Sequence, residues 1–268
     1  MSVLSGIENL VDDWLKIEPK GQPPHYRHRA AANELTRRNS PIAGTQAFLD
    51  ASYAQINYNW LAAIEAGYTN PSKENWRWKR HLDLGPKNIS PELKLERSIV
   101  NCCGDNWSNQ MPTASGLVGP ATDKRAAVDL VFREDPTTYS LIELKVNSDT
   151  PLFAAVQILT YGLLFVWSKN NQEQLGYDTE VQPVLAANTV TLGVLAPASY
   201  FDKFDLTTLA SALNDGLVDF GERQNLNMSF EFCELGADYS LDLAPELTRS
   251  AINDRRRIWT ATPGYPLL

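Results

Sequence analysis

The sequence predicts an α/β protein with a central mixed sheet flanked by helices, preceded by a helical region. Three observations lead there. Two runs with strand periodicity, Ala126 to Arg133 and Ser140 to Val146, are joined by the turn-rich Glu134-Asp135-Pro136-Thr137-Thr138. A long apolar helical pattern opens at Pro151, and a strand, a helix and a strand follow it. From Leu4 to about Tyr68 the periodicity is helical.

In chain order, a short amphipathic helix is expected from Leu10 to Ile17, a second from His25 to Arg38 and a long third from Thr45 to Ala66. Asn39-Ser40-Pro41 ends the second and permits the third. Asn70-Pro71-Ser72 and Leu84-Gly85-Pro86 punctuate a connecting region, which sets a boundary near 86. Three parts follow: a helical N-terminal region 1–86, a core 87–235 and a C-terminal tail 236–268. Ser90-Pro91 supplies an N-cap and first-turn pair for a helix with Leu93, Leu95, Ile99 and Val100 on one face. Trp107 to Leu117 is a poorly patterned strand, and the hairpin comes next. Pro151 to Lys169 is a helix, Val190 to Ala196 a buried strand, Leu206 to Arg223 a helix and Met228 to Glu234 a strand. The core order is α-β-β-β-α-β, then α-β. Arg255 to Arg257 form a basic cluster in a tail whose role is not readable.

Composition narrows the function classes. A chain of 268 residues with 43% hydrophobic and 21% charged residues is globular in character. Its three cysteines, two of them adjacent, form no disulfide framework, which favours a reducing compartment. The longest apolar run, Leu152 to Trp167, is shorter than the roughly 20 residues a bilayer requires and is broken by Gln157, Thr160 and Tyr161, so a buried helix is expected rather than a membrane span. Glu8, Asp12 and Asp13 replace the basic and apolar regions of a secretory signal, and a cytoplasmic location is the expectation. A net charge of −8 excludes tight nucleic-acid binding through bulk charge. Any such site is a local patch, or a companion protein adds the positive surface. No phosphate-binding glycine loop, dinucleotide fingerprint or nucleophile elbow occurs.

Glu-x-Lys triplets occur three times, and their context separates them. Glu18-Pro19-Lys20 sits beside a linker proline. Glu92-Leu93-Lys94 falls in a helix, where positions two apart point about 200° away from each other and so converge on nothing. In the strand Ser140 to Val146, a period of two puts Leu141, Glu143 and Lys145 on one face and Ile142, Leu144 and Val146 on the other. If the hairpin turns about Pro136, Asp129 falls directly opposite Glu143. Two carboxylates that close repel unless a proton or a cation lies between them, and oxygen ligands of this kind suit Mg²⁺ or Mn²⁺. The competing reading is an ion pair on a half-exposed sheet.

Val128-Asp129 followed by Glu143-Leu144-Lys145, in this order of elements, resembles the PD-(D/E)XK nuclease superfamily. Gln157-Ile158-Leu159-Thr160-Tyr161 resembles the Q-x-x-x-Y helix motif of its RecB-like and phage exonuclease-like members. Val128 stands where the signature has proline. The likeness spans roughly residues 90 to 200 and implies a restriction-endonuclease-like core. It implies that Asp129 and Glu143 ligate metal, that the Leu144 carbonyl adds a ligand, and that Glu96 approaches the metal through water, although on a charged amphipathic helix Glu96 by itself reads as a solvated glutamate. Lys145 would orient or activate the attacking water, and Gln157 with Tyr161 would position the phosphate or Lys145. The implied activity is metal-dependent phosphodiester hydrolysis, with DNA favoured over RNA. The rivals are a non-catalytic protein using this fold as a binding module and a hydrolase of smaller phosphoesters. Oligomeric state is left open.

Two other features bear on function. Trp76-Arg77-Trp78-Lys79-Arg80-His81 interleaves aromatics with bases; Arg77, Lys79 and Arg80 suit phosphate contacts, and the same segment suits docking of the helical half on the core. His25 and His28 share helical spacing but lack further ligands for a transition metal.

Overall fold

The computed structural model describes residues 2–19, 21–37, 41–83, 90–119, 122–237, 239 and 245–259. The protein is α/β, with a six-stranded mixed sheet and nine α-helices among the described residues. The N-terminal part holds α1 (Ile7–Leu15), α2 (Arg29–Thr36) and α3 (Thr45–Glu65). Next come α4 (Pro91–Cys102), β1 (Trp107–Pro112), β2 (Ala127–Asp135), β3 (Thr138–Leu144), α5 (Pro151–Asn170) and the short α6 (Gln172–Leu175). The chain continues through β4 (Thr189–Ala196), the short α7 (Ala198–Phe201), α8 (Thr207–Arg223) and β5 (Asn227–Glu234), then α9 (Pro245–Asn253) and β6 (Arg256–Trp259).

Strands lie in sequence order. β1 to β3 form an antiparallel meander, β3, β4 and β5 run parallel, and β6 closes the far edge antiparallel to β5. The parallel pairs are reached through helical crossovers, α5 between β3 and β4 and α8 between β4 and β5, as a parallel connection requires. The hairpin register pairs Leu130 with Ile142 and Phe132 with Ser140, as a turn about Pro136 predicts, with an irregularity at Asp135.

Strand alternation sorts the core into two layers. Leu141, Val131 and Val194 join the larger cluster beneath α5 and α8, whereas Ile142, Leu144, Val146, Leu130 and Leu195 join a smaller one with Leu95, Ile99 and Val100 of α4 and Ile252 of α9. On the larger side α3 packs across α5 and α8, and α1 packs on α3, so the N-terminal helices share one core with the sheet. α5 is therefore sandwiched between sheet and helix. It is the one helix among the described residues long and apolar enough to cross a membrane, and 83% of its apolar window is buried inside the protein.

Local chemistry starts the two helices that flank the hairpin. Ser90 Oγ accepts from the Leu93 N–H at 3.4 Å and Thr150 Oγ1 accepts from the Phe153 N–H at 3.2 Å, each followed by a first-turn proline. Gly162 lets α5 approach β4 closely, because a Cβ there would lie 2.4 Å from Leu192 Cδ1.

Several boundaries differ from those expected. The helix expected over His25 to Arg38 is a 3-10 turn, His25–Arg27, followed by α2. β1 stops at Pro112 rather than Leu117, because Thr113 onward turns away to bond with Ala126 and with the segment near Asn75. β3 ends at Leu144, although the Lys145 N–H still donates to the Leu195 carbonyl at 3.0 Å. Beyond 236, α9 packs on α4 and β6 pairs with β5, where Arg256 and Arg257 are ion-paired with Glu234 and Glu231. The boundary near 86 and Asn39-Ser40 lie outside the described residues.

Candidate metal and catalytic site

The site forms where β3 and β4, running parallel, both reach their carboxyl ends, the usual location for ligands in open α/β sheets. Asp129 of β2 and Glu143 of β3 meet across the hairpin. Asp129 Oδ2 accepts the Leu144 N–H at 3.0 Å, so the peptide between Glu143 and Lys145 is tied to the opposite strand. Lys145 Nζ reaches Glu143 Oε1 at 2.8 Å and Asp149 Oδ2 at 3.6 Å, and lies 5.9 Å from the centre of the Phe153 ring. Glu143 is 1% exposed and Lys145 7%. The shared strand face thus brings together carboxylate and ammonium, as alternation predicts.

The electrostatics are those of a crowded acidic pair. Burial raises Glu143 well above the usual carboxylate range, Asp129 adds to the rise, and Lys145 opposes it. Asp129 is also raised by burial, against the lowering influence of the Leu144 N–H and Lys145. Burial works to lower Lys145, but Glu143 and Asp129 more than offset it, leaving its pKa raised. Glu143 Oε2 is buried without a hydrogen-bond donor among the described residues. An undonated carboxylate oxygen beside a second carboxylate fits a hard divalent cation, with Asp129 and Glu143 as its side-chain ligands. Among the described residues no group of three or more His, Cys, Asp or Glu side chains could hold a metal ion, so backbone or water oxygens would have to complete the coordination.

Glu96 of α4 is 2% exposed. It is not the solvated residue that a charged helix face suggests. Asn109 Nδ2 and Arg97 donate to its Oε1 at 2.6 and 2.9 Å, and Gln110 Nε2 donates to its Oε2 at 2.5 Å. Gln110 Nε2 also lies 3.5 Å from Asp129 Oδ1, which links Glu96 to the pair. Burial pushes the Glu96 carboxyl up to about 7, against the pull of Arg97 and Asn109, and Asp129 raises it further.

On α5, Gln157 and Tyr161 lie one turn apart, and both line the cavity beside the helix. The Tyr161 hydroxyl is raised by burial first and then by the charges of Glu143 and Asp129.

Three residues escaped the sequence reading. Glu92 accepts the Val146 and Asn147 N–H groups at 3.3 and 3.4 Å, so the expectation that this triplet converges on nothing is corrected for its glutamate. Gln110 adopts a positive φ of 48° in the middle of β1, opposite Asp129, a strained backbone that aims its amide at Glu96. The Tyr200 hydroxyl, just past the end of β4, is buried without a partner among the described residues; burial, then Asp149, Glu143 and Glu92 raise its pKa. Only the position of Tyr200 after a parallel strand could have signalled it.

The basic-aromatic segment lies along the β1 edge. Lys79 and His81 bond Ser108 and Asn109 through their backbones, and Trp76 is buried edge-on to Phe165. Arg77 and Lys79 both pair with Glu74, and Arg80 pairs with Asp105. Its ties to the acidic cluster run through Asn109 and through Arg97, which donates to the His81 carbonyl at 2.8 Å and to Glu96. Comparison with protein-family models, curated proteins and solved structures finds no match to this chain.

Proposed function

We propose that the chain is a metal-dependent nuclease with a restriction-endonuclease-like core, acting on phosphodiesters and favouring DNA. The observation that carries this reading is the convergence of Asp129, Glu143 and Lys145 at the carboxyl end of β3, with one oxygen of Glu143 left without a donor among the described residues. A Mg²⁺ or Mn²⁺ ion, when bound, would polarise the scissile phosphate and lower the pKa of an attacking water. Asp129 and Glu143 would hold it. Lys145, fixed by Glu143, would orient the water or meet the charge that develops on the phosphoryl oxygens. Gln157 and Tyr161 would donate to the phosphate from α5, and Glu96 would act on the ligand sphere from behind Gln110. The buried surroundings of Glu143 exclude bulk water and strengthen each of these interactions.

Titrating Mg²⁺ and Mn²⁺ against circular and linear DNA tests the reading. Metal-dependent nicking or end resection is expected, absent with chelator. Intact DNA of both forms, and an intact single-stranded oligonucleotide, at every metal concentration would contradict it.

A further inference from the structure

A cavity of about 410 Å³ opens beside the acidic cluster, between α5 and the N-terminal helical layer. Its walls include Phe153, Gln157 and Tyr161 from α5 and Glu8, Tyr26 and Arg27 from the N-terminal part. Asp129, Glu143 and Lys145 do not line it. Phe153 joins the two regions, since its ring lies 5.9 Å from Lys145 Nζ and 5.1 Å from the Arg27 guanidinium.

The wall opposite α5 is built rather than incidental. Asp12 accepts the His25 and Tyr26 N–H groups at 2.7 and 2.8 Å, which fixes the 3-10 turn. Asn59 of α3 donates to the Val3 and Ser5 carbonyls at 2.8 and 2.9 Å, which fixes the segment from Val3 to Ser5. Tyr26 then stacks on Phe153, with ring centres 6.0 Å apart and planes 14° from parallel. Arg27 is held by exposed Glu8 at 2.7 Å, a pair that an incoming phosphate can exchange.

We propose that this cavity is a nucleotide subsite, in which one unpaired base lies against Phe153, the half-buried member of the Tyr26–Phe153 stack, with a phosphate on Arg27. The substrate is therefore a single strand or a frayed end rather than an intact duplex. The volume matches sites for one small ligand, aromatic faces accept any base by stacking, and Gln157 offers an amide to a base edge or phosphate. A paired base could enter only after unstacking. The identity of the ligand rests on the nuclease reading.

Fluorescence anisotropy in chelator, where cleavage is off, tests the subsite with a single-stranded oligothymidylate and a blunt duplex of equal length. Wild type should favour the single strand. Phe153→Leu should weaken that binding about fivefold or more, the loss expected for one base–aromatic stack. Arg27→Gln should weaken it and flatten its salt dependence, and Glu8→Gln should tighten it by freeing Arg27. The last two positions are exposed, so they carry the test even if Phe153→Leu fails to fold. Equal affinity for the two probes, or single-strand binding unmoved by Arg27→Gln and Glu8→Gln, would overturn the subsite. The two readings fail separately: selective binding without metal-dependent cleavage keeps the subsite and removes the nuclease, while cleavage without strand preference does the reverse.

Discussion

The tripeptide Glu-Leu-Lys occurs twice in this chain, at 92–94 in a helix and at 143–145 at the end of a strand, and the two copies do different things. In the strand copy, Glu143 and Lys145 share a face and meet at 2.8 Å. In the helix copy, Lys94 points to solvent, while Glu92 turns inward and takes two N–H groups from the loop that follows Lys145. Identical residues become an ion pair or a loop clamp according to backbone period and what packs against them. The comparison also shows where period stops being informative: it says that Glu92 and Lys94 diverge, but not what either of them finds.

The largest effect should separate the two lysines. Lys145→Ala should lower metal-dependent cleavage about a hundredfold or more, the scale for losing one positioned donor to a transition state, while Lys94→Ala leaves it unchanged. Equal rates for the two variants, measured on linear DNA with Mn²⁺, would break the contrast.

A smaller effect separates two glutamates one helical turn apart on α4. Glu96 is raised to about 7 from an ordinary value of 4.5, so the folded protein holds its proton more tightly than the unfolded chain. Its contribution to stability is full below about 4.5 and falls by about 3 kcal/mol as the pH rises through 7. Burial acts to raise Glu92, but hydrogen bonds from its own backbone, Ser148, Asn147 and Val146 outweigh it and its pKa is lowered. Its contribution is present above the ordinary value of 4.5 and is lost as the pH falls through the lowered one. Urea denaturation against pH in chelator should therefore show Glu96→Gln removing a decline on the neutral side and Glu92→Gln removing one on the acid side. Wild-type pH slopes in both variants would mean that the two carboxylates sit in equivalent, solvent-like surroundings.

Much of this arrangement was legible before the structure, for identifiable reasons. Alternation in 140–146 assigned the two sheet faces, and the turn about Pro136 set the register over residues 130–133, because a hairpin is a local object. Ser90-Pro91 and Pro151 mark helix starts by chemistry confined to a few residues. What stayed hidden depends on distant pairings. Glu96 reads as a surface residue until β1 brings Asn109 and Gln110 against it. The positive φ of Gln110 has no sequence signal, since glutamine carries no preference for it. β6 is too short and too basic to read as a strand until Glu231 and Glu234 of β5 supply its partners.

The central claim is that Asp129 and Glu143 are held together at a cost that a cation removes, and calorimetry of wild type and Asp129→Asn tests it most directly. The amide keeps an oxygen for the Leu144 N–H but drops one of two facing charges. In chelator, Asp129→Asn should be as stable as wild type or more so. With Mn²⁺, wild type should gain melting temperature by binding linkage and the variant much less. A variant that is destabilised in chelator and gains as much from Mn²⁺ as wild type would contradict the account.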